Sequence, residues 1–376
     1  MKIFYITTTV HLSKDLDDGL GSTTHTFFVA RELTKLGHEV HVISKRYEGE
    51  KKYELIEGIQ VHRLKRGVLS SGKSLEKSSI KKYFRPLKGI FNLILAYQIN
   101  KLDDRYGCDV ILERNHSLGI GAWTSYLTGK PMILEVIDSI LSSRSLNRAR
   151  SIIAYTNRFF DKKHKDKVRI VNVGYDPETF YPEITKNKYD ICYTGSFKPW
   201  DGVEDMVEAV NLLVNKYKLK NLQTVMVGTG EQFDKVVDLV KDYNLDNNIE
   251  MAGKVKLDQV RDYINSSRLC VAPYNIKKSD RGQFDKYGFY YAPLKVVEYM
   301  ACGKPVVATK YVMIKNILHK DGAEYFKEGN IDDLARKIRA VLQADNITEM
   351  GESNLMESRK YSWQNVVKDI DKIIRN

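Results

Sequence analysis

The segment THTFFVARELTKLGHEVHVIS, residues 24–44, decides the fold class. Its first part carries apolar residues at helical spacing, Gly37 follows as a stop signal, and the rest is a β-branched strand. Residues 2–10, KIFYITTTV, form a short apolar strand before it, so the order is strand, helix, strand. This βαβ unit predicts a parallel sheet covered by helices, with ligand-binding loops at the carboxyl ends of the strands.

Strand and helix patterns alternate in the same way to about residue 180, and the pattern starts again at Asp190 with DICYTG. We therefore predict an α/β protein with two Rossmann-like, doubly wound lobes and a ligand cleft between them. The predicted ranges are 1–183 for an N-terminal lobe, 184–360 for a C-terminal lobe, and 361–376 for a C-terminal helix that returns to the N-terminal lobe.

The composition excludes several classes of protein. Of the 376 residues, 43% are hydrophobic and 29% are charged, which argues against a disordered or fibrous chain. The longest apolar run, residues 90–97, is too short to span a bilayer, and the start MKIFYIT does not match a signal peptide, so we expect a cytoplasmic protein. The four cysteines lie far apart, which argues against a disulfide framework or a zinc site.

The formal charge of +12 points to an anionic partner. Nine basic residues and one acid, Glu76, lie between Arg63 and Lys88, directly before the apolar sequence GIFNLILAY. This segment favours either peripheral binding to an anionic membrane surface at its inner face, or a solvated basic loop beside a packed helix. We do not expect nucleic acid as a partner, because basic and aromatic residues do not interleave on a recognisable binding module.

Two glycine-containing loops each follow a strand and precede a helix. The first is GLGSTTH, residues 19–25, and the second is GSFKPWDG, residues 195–202. Glycines in this position let a phosphate approach the free N–H groups of a helix N-terminus, and Ser196 and Lys198 could add a hydroxyl donor and a charge. Each loop could equally be a simple turn, with Asp201 or Gly202 capping the next helix.

The most specific stretch is YYAPLKVVEYMACGKPVVAT, residues 290–309. Pro293 leads a helix in which Glu298 lies about one turn after Leu294. A carboxylate accepts two hydroxyl hydrogen bonds at once, which suits the 2′ and 3′ hydroxyls of a ribose. The backbone amides near Leu294 and Lys295 would then meet an attached diphosphate.

The order of these motifs resembles the GT-B glycosyltransferases, specifically the retaining family 4, over nearly the whole chain. Further matching fragments are ELTKLGHEV, VNVGYDPETFYP, VMVGTGEQ, NIEMAGKV, VAPY and the closing YSW. The resemblance implies a metal-independent, hexosyltransferase-type enzyme that transfers a sugar from a nucleoside diphosphate sugar with retention of configuration and needs no cofactor. It also implies that the N-terminal lobe binds the acceptor and that the C-terminal lobe binds the donor.

The resemblance assigns roles to residues at matching positions. It implies His116, Lys198 and Glu298 as catalytic residues, with Glu298 on the ribose and His116 near the transferred sugar. On the acceptor side it places Gly21, His25 and His116. The donor-binding residues that it implies are Gly21, Gly195, Ser196, Lys198, Gly228, Pro293, Leu294, Lys295 and Glu298, and it implies no metal ligand.

Three positions depart from the pattern of the family. Tyr290 stands where the first glutamate of the family's Glu-x7-Glu motif would be, and Ser196 and Asp201 stand where many relatives carry arginine and lysine. The branch with SPLKLFEYMA-like segments is more similar to this chain. Basic residues that could replace the missing charge are Lys198, Lys295 and Arg281. The loop NIKKSDRGQFDKYGFYY, residues 275–291, is longer than the matching loop of typical relatives, and its basic residues could close over an anionic donor or form a solvated surface loop. These residues are Lys277, Lys278, Arg281 and Lys286.

The basic segment at residues 63–88 also suggests the chemical class of the acceptor. If residues 63–88 bind a membrane, the acceptor would be a lipid-linked glycan or a surface polysaccharide precursor. Two alternatives remain. The first is a non-catalytic protein that binds a nucleotide sugar, which the three departures favour, and the second is a nucleotide-sugar 2-epimerase of the same fold, which the segment at residues 290–309 disfavours.

Overall fold

A computed structural model describes residues 1–12, 21–64, 85–279 and 282–376. The chain forms two compact units, Met1–Asn172 with Val366–Asn376, and Val173–Asn365. The units divide at residues 172 and 173, whereas the sequence placed a lobe boundary at 183 and 184. Residues after 172 are held in the second unit because Tyr175 pairs with the backbone of Tyr361 and Trp363.

The described part of the first unit contains one eight-stranded sheet with the order β3-β4-β2-β1-β5-β6-β7-β8. All neighbouring strands are parallel except the β3–β4 pair. The central strands are buried and β-branched or aromatic, as a sheet covered on both faces requires. The strands are β1 Lys2–Thr7, β2 Glu39–Lys45, β3 Tyr53–Ile56, β4 Ile59–Leu64, β5 Val110–Arg114, β6 Met132–Val136, β7 Ser151–Ala154 and β8 Val168–Ile170.

The helices of the first unit connect these strands. Residues Val366–Asn376 also belong to this unit, where Asp371 lies 2.8 Å from His38 Nε2 and the carbonyl of Ile374 accepts a hydrogen bond from Arg150. The helices are α1 Gly21–Lys35, α2 Arg85–Tyr106, α3 Ile120–Thr128, α4 Ser143–Arg148 and α5 Lys162–Lys165.

The described residues of the second unit form a six-stranded, fully parallel sheet with the order β11-β10-β9-β12-β13-β14. The strands are β9 Tyr189–Gly195, β10 Thr224–Gly228, β11 Ile249–Gly253, β12 Ser267–Ala272, β13 Val306–Thr309 and β14 Ala323–Phe326. The helices are α6 Val203–Asn211, α7 Phe233–Asp242, α8 Leu257–Asn265, α9 Gly282–Tyr287, α10 Leu294–Ala301, α11 Val312–Lys315, α12 Ile331–Leu342, α13 Ile347–Ser358 and α14 Trp363–Arg375, which ends in the first unit.

One part of the predicted basic segment is corrected by the structure. Arg63 lies in β4 and is buried. Its guanidinium donates hydrogen bonds to Glu54 at 2.6 Å and to the carbonyl of Leu12 at 2.7 Å. It is therefore not available to a membrane surface. Residues 65–84 lie outside the described residues, and α2 begins at Arg85. Within the described ranges, no helix combines the length and apolar character of a membrane span.

Candidate functional site

Two of the predicted donor residues end the neighbouring strands β9 and β10. These strands are parallel, and their last residues, Gly195 and Gly228, lie opposite each other. Gly228 has a φ of 124°, and a Cβ atom there would lie 1.8 Å from the carbonyl oxygen of Gly195. A Cβ atom at Gly195 would lie 2.6 Å from Lys295 Nζ. Both glycines therefore permit a close approach that a side chain would block.

Asp201 organises the loop that follows β9. One oxygen, Oδ2, accepts a hydrogen bond from Ser196 Oγ at 3.0 Å and another from the backbone N–H of Lys198 at 3.1 Å. Asp201 ends a short 3₁₀ helix, and Gly202, with a φ of 71°, directly precedes α6. The sequence suggested a helix cap for Asp201 or Gly202, and the structure shows that Asp201 also holds Ser196.

Lys295 lies in the first turn of α10, directly after Pro293 and Leu294. Its ammonium donates to Asp201 Oδ1 at 3.2 Å and to Tyr193 Oη at 3.0 Å. Burial lowers the pKa of Lys295, and the charge of Asp201 acts in the opposite direction. This contact connects residues that are far apart in the sequence, at the carboxyl ends of the strands where open α/β sheets bind ligands.

Glu298 lies one turn after Lys295 on α10 and keeps partial contact with solvent. Its carboxylate makes no hydrogen bond with any described residue. Burial raises its pKa to about 7, although the charge of Lys295 opposes this shift. A carboxylate with unused acceptor capacity in this position is suited to binding hydroxyl groups.

The remaining predicted donor residues differ in their surroundings. Lys198 is half-buried, and its Nζ lies 3.6 Å from Glu231. Tyr290, in the position of the missing glutamate, is buried against Phe284, and its hydroxyl donates to Gln283 at 3.3 Å. In the longer loop, Lys278 pairs with Asp205 at 2.6 Å and with Glu204 at 3.3 Å, so it already has two anionic partners. Arg281 lies outside the described residues.

In the first unit, His116 follows β5 in a short 3₁₀ turn. Its Nε2 lies 2.5 Å from Asp138 Oδ2, and Asn115 donates to the other oxygen of Asp138 at 2.7 Å. Burial would raise the pKa of Asp138, but the hydrogen bond and charge of His116 outweigh it and lower the pKa. The sequence reasoning did not identify Asp138, although it follows the next strand, β6, in KPMILEVID.

His25 lies in the first helix, α1, inside a buried polar cluster. Its Nε2 donates to Glu135 at 2.7 Å, and its Nδ1 accepts from the hydroxyl of Tyr155 at 3.0 Å. Burial lowers the pKa of His25, so a neutral ring with this tautomer fits both contacts. A sugar or phosphate contact from this ring would require one of these hydrogen bonds to break.

Glu135 is the anionic member of this cluster. It also accepts from the hydroxyl of Tyr5 at 2.5 Å. Burial acts to raise its pKa, but His25, Arg114 and Tyr5 outweigh burial and hold the pKa at about 2. The cluster thereby holds α1 at His25, four residues after the helix begins at Gly21.

Family models match two parts of the chain. A model described as glycosyl transferases group 1 matches residues 188–344, and a model described as glycosyl transferase 4-like matches residues 19–104. These ranges contain the two glycine loops and the helix α10.

Similar proteins are also glycosyltransferases by name. One uncharacterized glycosyltransferase of Methanocaldococcus jannaschii is 23% identical over 77% of this chain and 82% of its own length. A second from the same organism is 20% identical over 93% of this chain and 92% of its own length.

Solved structures share the fold over the full chain. Sucrose-phosphate synthase from Thermosynechococcus elongatus has a TM-score of 0.75 and 15% identity, and covers 100% of this chain and 98% of its own. Anabaena HepE, solved in complex with UDP, has a TM-score of 0.71 and 14% identity, and covers 100% of both chains. The two sheets and these structures show the GT-B fold, and the two matching family models and the named relatives support a GT-B glycosyltransferase of the family 4-like group.

Proposed function

We propose that the chain is a retaining glycosyltransferase that moves a sugar from a nucleoside diphosphate sugar to a glycan acceptor. The observation that carries this proposal is the grouping of Gly195, Gly228, Lys295 and Glu298 at the carboxyl ends of β9 and β10 and in helix α10. The structure of HepE with UDP-glucose and that of TarM with fondaparinux and UDP support the same classes of donor and acceptor.

Within this site, each residue has a defined role. Glu298 accepts hydrogen bonds from the ribose hydroxyls, and the backbone at Gly195 and Gly228 approaches the diphosphate. Pro293 and Leu294 start α10, whose N-terminal N–H groups and partial positive charge face an anion. Lys295 and Lys198 supply positive charge, and Ser196 supplies a hydroxyl donor.

The reaction breaks the bond between the anomeric carbon and the diphosphate oxygen, and forms a bond from that carbon to the acceptor oxygen on the same face. Negative charge develops on the leaving diphosphate, where Lys295 and the first turn of α10 stabilise it. The leaving diphosphate takes the acceptor proton, so the protein need not supply a general base. We propose that this stabilisation operates without a metal ion, and that His116 and Gly21 lie on the acceptor side.

We further propose peripheral association with an anionic membrane, which would present a lipid-linked glycan or a surface polysaccharide precursor. Helix α2 carries exposed apolar side chains, Ile90, Leu93, Ile94 and Tyr97, which are between 40% and 54% exposed. The helix carries no acidic residue before Asp103, and Lys101 Nζ lies 4.9 Å from the ring centroid of Tyr97. An apolar stripe with basic neighbours is suited to the boundary between lipid headgroups and acyl chains.

A donor screen tests the transferase proposal. Purified protein is incubated with a panel of nucleoside diphosphate sugars in EDTA, and thermal shift and release of free nucleoside diphosphate are measured. A shift with one donor and slow hydrolysis would support an active, metal-independent transferase. Binding without hydrolysis or transfer to any glycan acceptor would favour a non-catalytic nucleotide-sugar binding protein instead.

Vesicle flotation tests the membrane proposal. Wild type should float with phosphatidylcholine vesicles that contain phosphatidylglycerol, and the Ile90→Glu/Ile94→Glu variant should not. Val312→Glu/Met356→Glu is a matched control, because both apolar side chains are exposed on the second unit. Equal flotation of all three proteins would contradict the assignment to α2.

A further inference from the structure

The ion pair between Lys295 and Asp201 is buried. The whole Lys295 residue is only 8% exposed and Asp201 only 4%, and Lys295 Nζ lies 3.2 Å from Asp201 Oδ1. A buried ammonium is expensive to keep charged unless an anion and further hydrogen bonds compensate for the lost water. The burial of a charged lysine at this position therefore indicates a specific role for the ion pair.

The ammonium is enclosed on several sides. Nζ lies 4.3 Å from the ring centroid of Tyr193 and 4.7 Å from that of Tyr274, and it reaches this position because Gly195 has no side chain. An ammonium has three N–H donors. Two of them bind Asp201 and the hydroxyl of Tyr193, and the third has no acceptor among the described residues.

The backbone beside this ammonium has unused donor capacity as well. In the first turn of α10, the N–H of Leu294 bonds to Ala292 and that of Val296 bonds to Pro293. The N–H of Lys295 has no such bond within the part of the chain that the structure describes. A helix N-terminus attracts anions, and here a buried cation with a spare donor lies next to it.

Asp201 connects this cation to the loop after β9. Its Oδ1 contacts Lys295, while its Oδ2 accepts from Ser196 Oγ and from the N–H of Lys198. One carboxylate thus holds both the ammonium and the loop backbone in a single arrangement.

We propose that Asp201 is a positioning residue that keeps Lys295 protonated and leaves its third N–H to bind an oxygen of the donor's diphosphate. The proposal deepens the proposed function and rests on it. It also accounts for an acid in a loop where many relatives carry a base, since the cation arrives instead from α10.

The proposal has a defined pH dependence. The groups that face Lys295 are Asp201 in the loop, Tyr193 on β9, Tyr274 after β12 and Glu298 on α10. Burial lowers the pKa of Lys295, and Asp201 and Glu298 act against this. Loss of the Asp201 charge should lower the pKa further, so the ammonium would lose its proton at a less alkaline pH.

The test compares Asp201→Asn with wild type from about pH 6 to about pH 10. The affinity for UDP is measured by calorimetry, and kcat and KM are measured with the donor that the screen identifies. We expect Asp201→Asn to weaken UDP binding about tenfold near pH 9 and much less near pH 6, with the alkaline fall in kcat moved by about one pH unit toward acid. Asp201→Glu should restore part of the wild-type profile.

The control is Asp205→Asn, because Asp205 is also a buried acid that pairs with a lysine, Lys278, in the same unit. Its pH profile should match that of wild type even if its Tm falls. A loss in Asp201→Asn that is the same at every pH would overturn the proposal. If wild type turns over no donor but the expected pH effect on UDP binding appears, the positioning role stands and the proposed transferase reaction fails.

Discussion

His116 Nε2 and Asp138 Oδ2 lie 2.5 Å apart, at the ends of the neighbouring parallel strands β5 and β6. The carboxylate orients the imidazole, and Asn115 in turn orients the carboxylate. An acid that fixes one ring nitrogen of a histidine leaves the other nitrogen for a ligand, with a defined tautomer. This arrangement makes Asp138 the clearest addition to the residues predicted from the sequence.

Replacement of Asp138 should therefore affect turnover through His116. Asp138→Asn keeps the shape of the side chain but removes the charge, and we expect kcat for transfer to fall about tenfold or more while the KM for the donor changes little. Steady-state kinetics, in which donor and acceptor are each varied while the other is saturating, measures both quantities. Asp161→Asn is a control, because Asp161 also contacts a histidine, His164, at the start of α5. Wild-type kinetics in Asp138→Asn would remove His116 from the acceptor side.

Donor binding should depend on the charge of Glu298. Its pKa of about 7 means that the carboxylate is largely ionised above pH 7 and largely protonated below it. Only the ionised form accepts two hydroxyl hydrogen bonds, so the donor KM should rise as the pH falls below about 7. Glu298→Gln should raise the donor KM about tenfold above pH 7 and remove this pH dependence. A donor KM in Glu298→Gln that still rises in acid would assign the effect to another group.

A methyl group at position 195 should disrupt the donor site. In Gly195→Ala the new Cβ would lie 2.4 Å from Tyr193 Oη and 2.6 Å from Lys295 Nζ, so the ammonium must move. We expect UDP affinity to fall about tenfold or more. Gly282→Ala is the control, since among the described residues the nearest atom to a Cβ there is Asp285 Oδ2, at 4.0 Å. Unchanged UDP affinity in Gly195→Ala would show that Lys295 does not contact the nucleotide.

The buried cluster around Glu135 should control acid stability of the first unit. Its folded pKa of about 2 lies below its ordinary value of 4.5, so its contribution to stability is complete above about pH 4.5 and is lost as the pH falls toward 2. Glu135→Gln should lower Tm by about 5 °C at neutral pH and make the loss of stability in acid less steep. Glu324→Gln, at a partly exposed ion pair with Lys337, should change Tm by about 1 °C or less. Scanning calorimetry from neutral pH down toward about pH 2 compares the Tm values of wild type and the two variants.

Much of the architecture could be predicted because it depends on local patterns. The alternating apolar strands and helices predicted two α/β lobes, and the glycine loop at residues 195–202 connects β9 to α6 as the sequence predicted. The first glycine loop was predicted to precede its helix, but α1 already begins at Gly21 and contains His25. Because β9 and β10 are parallel, their carboxyl ends lie at one edge of the sheet. The pattern of parallel strands alone therefore predicts that the loops after them lie close together.

Other features could not be predicted from local patterns. The β3–β4 hairpin turns at Glu57 and Gly58, both with positive φ, rather than at the Asn-Gly pair that signals such a turn, and it buries Arg63, which the sequence suggested for a membrane surface. The contact between Asp201 and Lys295 joins positions 94 residues apart. In the sequence, Asp201 stands at a position where many relatives carry a lysine, so the sequence alone suggests that the site lacks a cation. The folded structure shows that Lys295 places its ammonium beside Asp201.

The first unit includes Val366–Asn376, which follow the whole of the second unit in the sequence. During synthesis, His38 and Arg150 therefore emerge from the ribosome long before Asp371 and Ile374, the residues that they bind in the folded protein. The second unit, being continuous, can fold first although it is translated second. The order of folding on the ribosome would then be the reverse of the order of translation, with the last eleven residues closing the first unit.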